Sequence, residues 1–545
     1  MKNSRRIMAI ALVVIMVLGL SACSQPTPTP TTAAPTTAAP GATTAAPTEP
    51  VPVRDVLIYG WPNDGTTMHP QIQNGQDEIT VYQTYSGLIK FDEETKALVG
   101  DLAESWEVSD DNLTWTFKLK QGVKWHNGDE FTAEDVKATF DVPMNPDTNL
   151  KMAYQYFLIF SEVEVVDPYT VSITTHDPYG PMLAFLANRT TAITNRNTVA
   201  QFGEQLGSSV ESTNGTGPYR FVEWVKGEKM VFERFDEYFG EPAKIKTLVF
   251  MQIPDEAART VALQNGEIDA LTRISPQEAM ILERDPNVTV TSDKSNGQML
   301  FRFGMNDEIM KNVKVRQAIS YAIDRNAIVQ GLFAGIGVPS TSALAPLTFG
   351  YSNLGEIKRD VEKAKQLLTE AGYPNGFSSK IVTTPRYNKG VEMTEAIVQQ
   401  LKDVGINMEI DVVEWSAFVA MISGLGPDEY DAPMLIMGAG PSMMDADGGL
   451  RGLYTTTVTG TNERNYSLYS NADVDRLLTE GMQETDPAKR LEIYKQAQQI
   501  MVFDDPAGVW IYDMTRANAT TADLAKAVYN GTGLPIFYRY EFKTK

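Results

Sequence analysis

From Ser24 to Pro52 the chain is built almost wholly of Thr, Ala and Pro, and Glu49 is its only charge. Proline interrupts helix and sheet hydrogen bonding alike, and no apolar face recurs, so this stretch cannot bury a core. It reads as a semi-extended spacer, and folding is left to the residues from Arg54 onward. That remainder is long enough for two or three domains. With 43% hydrophobic and 21% charged residues, the whole chain has an ordinary globular composition.

What precedes the spacer reads as an export leader. Lys2, Arg5 and Arg6 are followed by Ile7 to Leu20, an uncharged apolar run. It is shorter than the roughly 20 residues a bilayer span needs and suits a signal-peptide core. Leu20-Ser21-Ala22-Cys23 then resembles a bacterial lipobox, in which cleavage before Cys exposes the thiol for lipid attachment. This divides the N-terminus into a signal peptide, 1–22, and a linker, 23–53, anchored to the membrane through Cys23. Cys23 is the only cysteine, which excludes an internal disulfide and any paired-cysteine metal or redox motif. The formal net charge of -22 argues against nucleic acid as a partner. The rest of the chain is expected to lie outside the cytoplasm.

From Arg54, strand and helix patterns alternate. Leu113, Trp115, Phe117 and Leu119 predict a half-buried strand, and Val163 to Ile173 a hairpin turning at Asp167-Pro168. Asn312 and Asp360 are placed to cap helices, the first with Val315, Ala318, Ile319 and Ala322 inward, the second with Val361, Ala364, Leu368 and Ala371. Met393, Ile397, Leu401 and Val404 form a third stripe ended by Gly405. A strand alternating at Ile406, Met408, Ile410 and Val412 follows at once. Asp486-Pro487 opens a further helix toward Met501. The result is an α/β protein of more than one lobe.

Catalytic signatures are missing. There is no GxSxG elbow and no phosphate loop. His69, His126 and His176 are far apart and read as turn or surface residues. Asp445-Ala446-Asp447-Gly448 fails as a calcium loop, because Met443 and Tyr454 stand where ligands are required. Asp504-Asp505 reads as helix-end capping rather than a glycosidase pair. No enzyme, metal or cofactor is expected.

An ordered set of motifs carries a resemblance. It runs from Leu102-Ala103-Glu104-Ser105-Trp106 through LTWTFKLKQGVKWHNGDEFTAEDVKATFD to Asp141. Gly215-Thr216-Gly217-Pro218-Tyr219 and Asn265-Gly266-Glu267-Ile268-Asp269 come next. VRQAISYAIDRNAIV from Val315, AKQLLTEAGYPNGF from Ala364 and Asn471 to Leu478 complete it. The set resembles the substrate-binding proteins of peptide- and nickel-type ABC transporters, solute-binding family 5, across residues 54 to 545. By their composition Gly215, Gly217 and Pro218 suit a tight turn feeding a strand at Tyr219, and the motif aromatics alternate as core residues do.

The resemblance implies a two-lobe periplasmic-binding-protein type II fold with an inserted subdomain. Lobe one would span 54–297, with the insertion at about 92–180, and be completed by 515–545. Lobe two would span 298–514, with crossings near Gln298–Arg302 and Tyr512–Arg516. Ligand would lie between hinged lobes. The family's amine-binding aspartate falls on Gly440, or on Ser442 if shifted, leaving Asp445 as the nearest carboxylate. Ligand contacts are expected from Asn74, Gly75, Trp415, Met437, Gly438, Ala439, Gly440, Asp445, Trp510 and Tyr512. Met434, Met437, Met443 and Met444 either line an adaptable wall or pack beneath the cleft strand. The implied partners are a small solute, most simply an oligopeptide, ABC permease subunits, and the membrane through the lipid anchor, with the protein a monomer. An oligosaccharide is the alternative solute, and an extracytoplasmic hydrolase the alternative class.

Overall fold

The computed structural model describes residues 54–63, 65–72, 78–92, 94–95, 97–150, 153, 157–423, 432–440, 443–456, 465–530 and 533–544. The leader, Cys23 and the spacer lie outside them. The described residues belong to one compact unit, Val53–Lys545.

Two long antiparallel strands, Val288–Phe303 and Gly508–Thr521, organise the molecule. They are the middle of an eleven-stranded sheet. On one side of them lie Met434–Ala439, Phe377–Thr383 and Ile406–Val412. On the other lie Ala270–Ile274, Val56–Trp61, Thr247–Gln252, Lys229–Arg234 and Tyr219–Val225, and the short Val338–Pro339 pairs with Gly508–Thr521 off this path. The pairing of the two long strands slips between Lys294 and Gln298. A slip of this kind twists and bends the strands that carry it, and the buried clusters change over there. Met299, Leu300, Phe301, Trp510 and Tyr512 belong to one core, while Ala517 and Ala519 pack with Leu263 and Leu271 in another. Arg302, at the edge of the expected crossing, is already inside the first of these lobes and 2% exposed.

A separate four-stranded antiparallel sheet contains Ala103–Val108, Thr114–Leu119, Thr170–Thr175 and Phe160–Asp167. Its own core draws on residues between Leu88 and Ile193, with Met443 packed in from the second lobe. Trp115, Phe117 and Leu119 are buried on one face, as their alternation requires. Phe160–Asp167 and Thr170–Thr175 form the hairpin.

The helices follow their capping residues. The Asn312 side chain accepts from Lys314 N at 3.0 Å, and Val315, Ala318, Ile319 and Ala322 are fully buried. Asp360 accepts from Lys363 N at 2.9 Å. Asp486 accepts from Ala488 N and Lys489 N, and its helix, Pro487–Gln499, continues as a wider π turn, Ile500–Asp504.

Two readings are corrected. Gly215 and Gly217 are not held by turn geometry. A Cβ on Gly215 would stand 1.8 Å from the Thr84 carbonyl oxygen, and one on Gly217 2.6 Å from its carbon, so these glycines permit close backbone approach to the helix Glu78–Thr84. His69 and His126 are buried, and only His176 is at the surface. Asp505 ends the turn Ile500–Asp504 as its C-cap, its N–H donating to the Ile500 carbonyl at 2.8 Å, while its side chain is an ion-pair partner of Arg316 and accepts from Asn471 Nδ2 at 2.8 Å.

Candidate functional site

The parallel strands Phe377–Thr383, Ile406–Val412 and Met434–Ala439 all end on the side where the long strands cross, since Ala439 pairs with Gln298. Their exits converge. A Cβ on Gly438 would lie 3.0 Å from the Tyr387 ring, so glycine is what lets that ring rest on the strand. The Tyr387 hydroxyl is 3.7 Å from Met437 Sδ. Trp415 meets Tyr387 edge-on at 5.9 Å and stacks on Phe418 at 5.6 Å. The Arg386 guanidinium lies 5.7 Å from the Trp415 ring. Trp415 opens a helix, Trp415–Ser423, and stays 38% exposed, a large indole held by neighbours yet open to solvent. Gly440 is pressed against the crossing: a Cβ there would be 3.2 Å from Gly297 Cα.

Beyond Gly440 the chain reaches the inserted subdomain. Met443 is buried within that subdomain's core, and the Tyr179 hydroxyl donates to Asp447 at 3.3 Å. Gly180 N donates to the Met482 carbonyl at 2.8 Å, a further tie between insertion and second lobe. Beside these contacts a recess, open at its mouth, is walled by Tyr82, Tyr85, Asn188, Arg189, Met444 and Tyr538. Its walls come from the first lobe, the insertion, the C-terminal tail and, through Met444, the second lobe. Arg189 is fixed by donating to the Ile72 carbonyl at 3.3 Å.

A buried carboxylate stands at the crossing itself. Asp513 accepts from Gln298 Nε2 and from Ser340 Oγ, both at 2.6 Å, and burial pushes its carboxyl above the ordinary range.

The family model for bacterial extracellular solute-binding proteins, family 5, matches residues 97–461. The glutathione-binding protein GsiB of Escherichia coli O1:K1 is 32% identical over 82% of this chain and 86% of its own length. DppA of Helicobacter pylori, an ABC transporter-associated periplasmic binding protein solved with the peptide STSA, is 26% identical; the match covers 90% of this chain and 99% of that one, with a TM-score of 0.75. The ABC transporter substrate-binding protein CtaP of Listeria monocytogenes is 26% identical with a TM-score of 0.79, over 90% of this chain and 100% of its own. The chain belongs to solute-binding protein family 5. Its fold is the two-lobe type II periplasmic-binding-protein fold with an inserted subdomain.

In this family 5 protein the expected contact residues divide into groups. Trp415, Met437, Gly438, Ala439 and Gly440 come together at the strand exits. Asp445 lies elsewhere. Both its oxygens are taken by Arg490, at 2.8 and 3.0 Å, and one also caps the helix Ala446–Tyr454 through Asp447 N at 2.9 Å. At 2% exposure it has no oxygen to offer a ligand amine. Burial raises its carboxyl pKa, Arg490 opposing. Trp510 is buried against Tyr454, and Tyr512 against Phe333 at 4.6 Å. Met434 and Met437 pack in the second lobe's core, Met443 in the insertion's, and only Met444 stays half-open on the recess. Asn74, Gly75 and Ser442 lie outside the described residues.

Tyr387, Arg386, Asn188 and Arg189 were not legible as site residues. Tyr387 and Arg386 sit in a loop and Asn188 and Arg189 at a single short 3-10 turn, none with a periodic pattern, and only the fold sets the first two against Trp415 and the other two on the recess. Among the described residues no group of three or more His, Cys, Asp or Glu could hold a metal, and no helix is long and apolar enough to cross a membrane.

Proposed function

We propose that this family 5 protein is held at the outer membrane surface by lipid on Cys23, captures an oligopeptide in the recess between its lobes, and delivers it to an ABC permease. Two observations support the reading: the recess walled by both lobes and the insertion, and, at the strand exits of the second lobe, an exposed Trp415 braced by Tyr387, Phe418 and Arg386. DppA was solved with a tetrapeptide, and glutathione, named for GsiB, is itself a short peptide. Ligand touching both lobes favours the closed state.

Peptide recovered with the purified protein and identified by mass spectrometry supplies the test ligand. Saturating it is expected to reduce the radius of gyration in small-angle scattering. Trp415→Ala should weaken binding by about 2 kcal/mol or more, as loss of a buried aromatic anchor does. An unchanged radius at saturation argues against hinged capture, and steady turnover of the peptide would make the protein a hydrolase. Cys23→Ala should move the protein from the membrane fraction to the supernatant; retention after washing would remove the lipid anchor from this reading.

A further inference from the structure

The insertion and the second lobe meet at a contact that shares no residue with the two long strands. The insertion presents Tyr179 and Gly180, on the link between the strand Thr170–Thr175 and the short helix Met182–Leu186. The second lobe presents the start of the helix Ala446–Tyr454 and the turn after the helix Ala472–Gln483. Both helices are rooted in the second lobe's core, through Ala446, Leu450, Val474 and Leu477.

Gly180 is the tightest point. Its N–H donates to the Met482 carbonyl at 2.8 Å. A Cβ on it would overlap the Glu484 carbonyl oxygen and stand 3.0 Å from Arg490 Cδ. Its φ lies outside the left-handed region, so it is the docking that calls for glycine here. Beside it the Tyr179 hydroxyl donates to Asp447, a carboxylate that also accepts from Arg451 Nε at 2.6 Å. Thr485 Oγ1 donates to Asn112 Oδ1 at 3.4 Å. Met443, from the second lobe, is buried among the insertion's apolar residues. A small contact of this mixed kind separates readily, as interfaces between domains of one chain do. Met443 and Met444 are also the second lobe's share of the recess wall. Undocking the insertion therefore withdraws that wall.

We propose that this contact is a latch on solute release: it closes when the lobes close, opens while insertion and second lobe both stay folded, and sets how long solute is held. Contacts made only in the closed arrangement add to the apparent affinity, because they raise the population that can hold solute. That the latch serves capture rests on the proposed function; that it opens does not.

Amide hydrogen exchange on the unliganded mature chain tests the opening. Gly180 N–H is expected to exchange at least tenfold faster than Leu119 N–H, which donates to the Tyr169 carbonyl inside the insertion, because undocking frees the first without unfolding the second. Gly180→Ala sets a methyl against a backbone carbonyl that cannot rotate away. It should enlarge the unliganded radius of gyration while Leu119 stays protected. Tyr179→Phe keeps the ring beside Phe185 and leaves Asp447 paired with Arg451. It should speed exchange at Gly180 by about tenfold, and should speed dissociation of a synthetic copy of the peptide recovered with the protein by a similar factor. Equal exchange at Gly180 and Leu119 would make insertion and second lobe one permanent body and overturn the latch. Faster exchange in Tyr179→Phe with unchanged peptide dissociation would detach the contact from capture and overturn it equally. A probe peptide that fails to bind wild type counts against peptide capture, and the exchange comparison still judges the latch.

Discussion

Asp445→Ala is expected to destabilise the protein by about 3–5 kcal/mol, the cost of leaving a buried charge without its partner. Arg490 would be stranded: it is 4% exposed, its Nε is committed to the Gly481 carbonyl, and it is flanked by the rings of Phe349 and Tyr494. The same substitution removes a helix cap, which adds to the loss. Replacing the pair together, as Asp445→Leu with Arg490→Met, should recover most of the stability, because the desolvation cost of both ions is removed with their attraction. Urea denaturation measures this as a lowered midpoint at unchanged slope. A small change in stability accompanied by loss of peptide affinity would instead place the carboxylate in the recess.

The second large effect is an acid limb. Burial holds the imidazoles of His69 and His126 down to about 4 from the ordinary 6.5. In that window the unfolded chain binds protons that the folded chain refuses. Stability is therefore complete above about pH 6.5 and is lost as pH falls toward 4, by roughly 3 kcal/mol per histidine. The raised carboxyls of Asp135, Asp269, Asp445 and Asp513 work in the opposite sense near the acid end and flatten the curve there. His126 ring Nε2 is 2.9 Å from the Gly217 carbonyl, a contact a glutamine can keep. His126→Gln should cut the stability lost between pH 7 and 4.5 by about half, since one of two titrating groups is gone. An identical acid limb in the variant would show that His126 does not carry it.

Local pattern and tertiary contact divide the explanation of this molecule. Asn312, Asp360 and Asp486 cap the helices their spacing predicts, because a cap needs only a side-chain oxygen within its own turn. Trp115, Phe117 and Leu119 face inward for an equally local reason, the two-residue repeat of a strand. The ordered motifs identified family and fold, and the buried Arg316 and Arg325 of one motif are spent on carbonyls around the strand Gly508–Thr521. The site was less legible. Asp445 has the chemistry of an amine ligand, and nothing near it in sequence announces Arg490, 45 residues away. Gly215 looks like a turn residue until the helix Glu78–Thr84 lies against it. Arg302 sits in an apolar strand like any stray charge until the Tyr454 ring, 5.1 Å from its guanidinium, covers it. Caps, stripes and strand faces were settled by the sequence itself, since their physics acts over one or two turns of chain. Which charges are paired and which glycines are crowded was decided only by the fold, because each depends on a partner brought in from far along the chain.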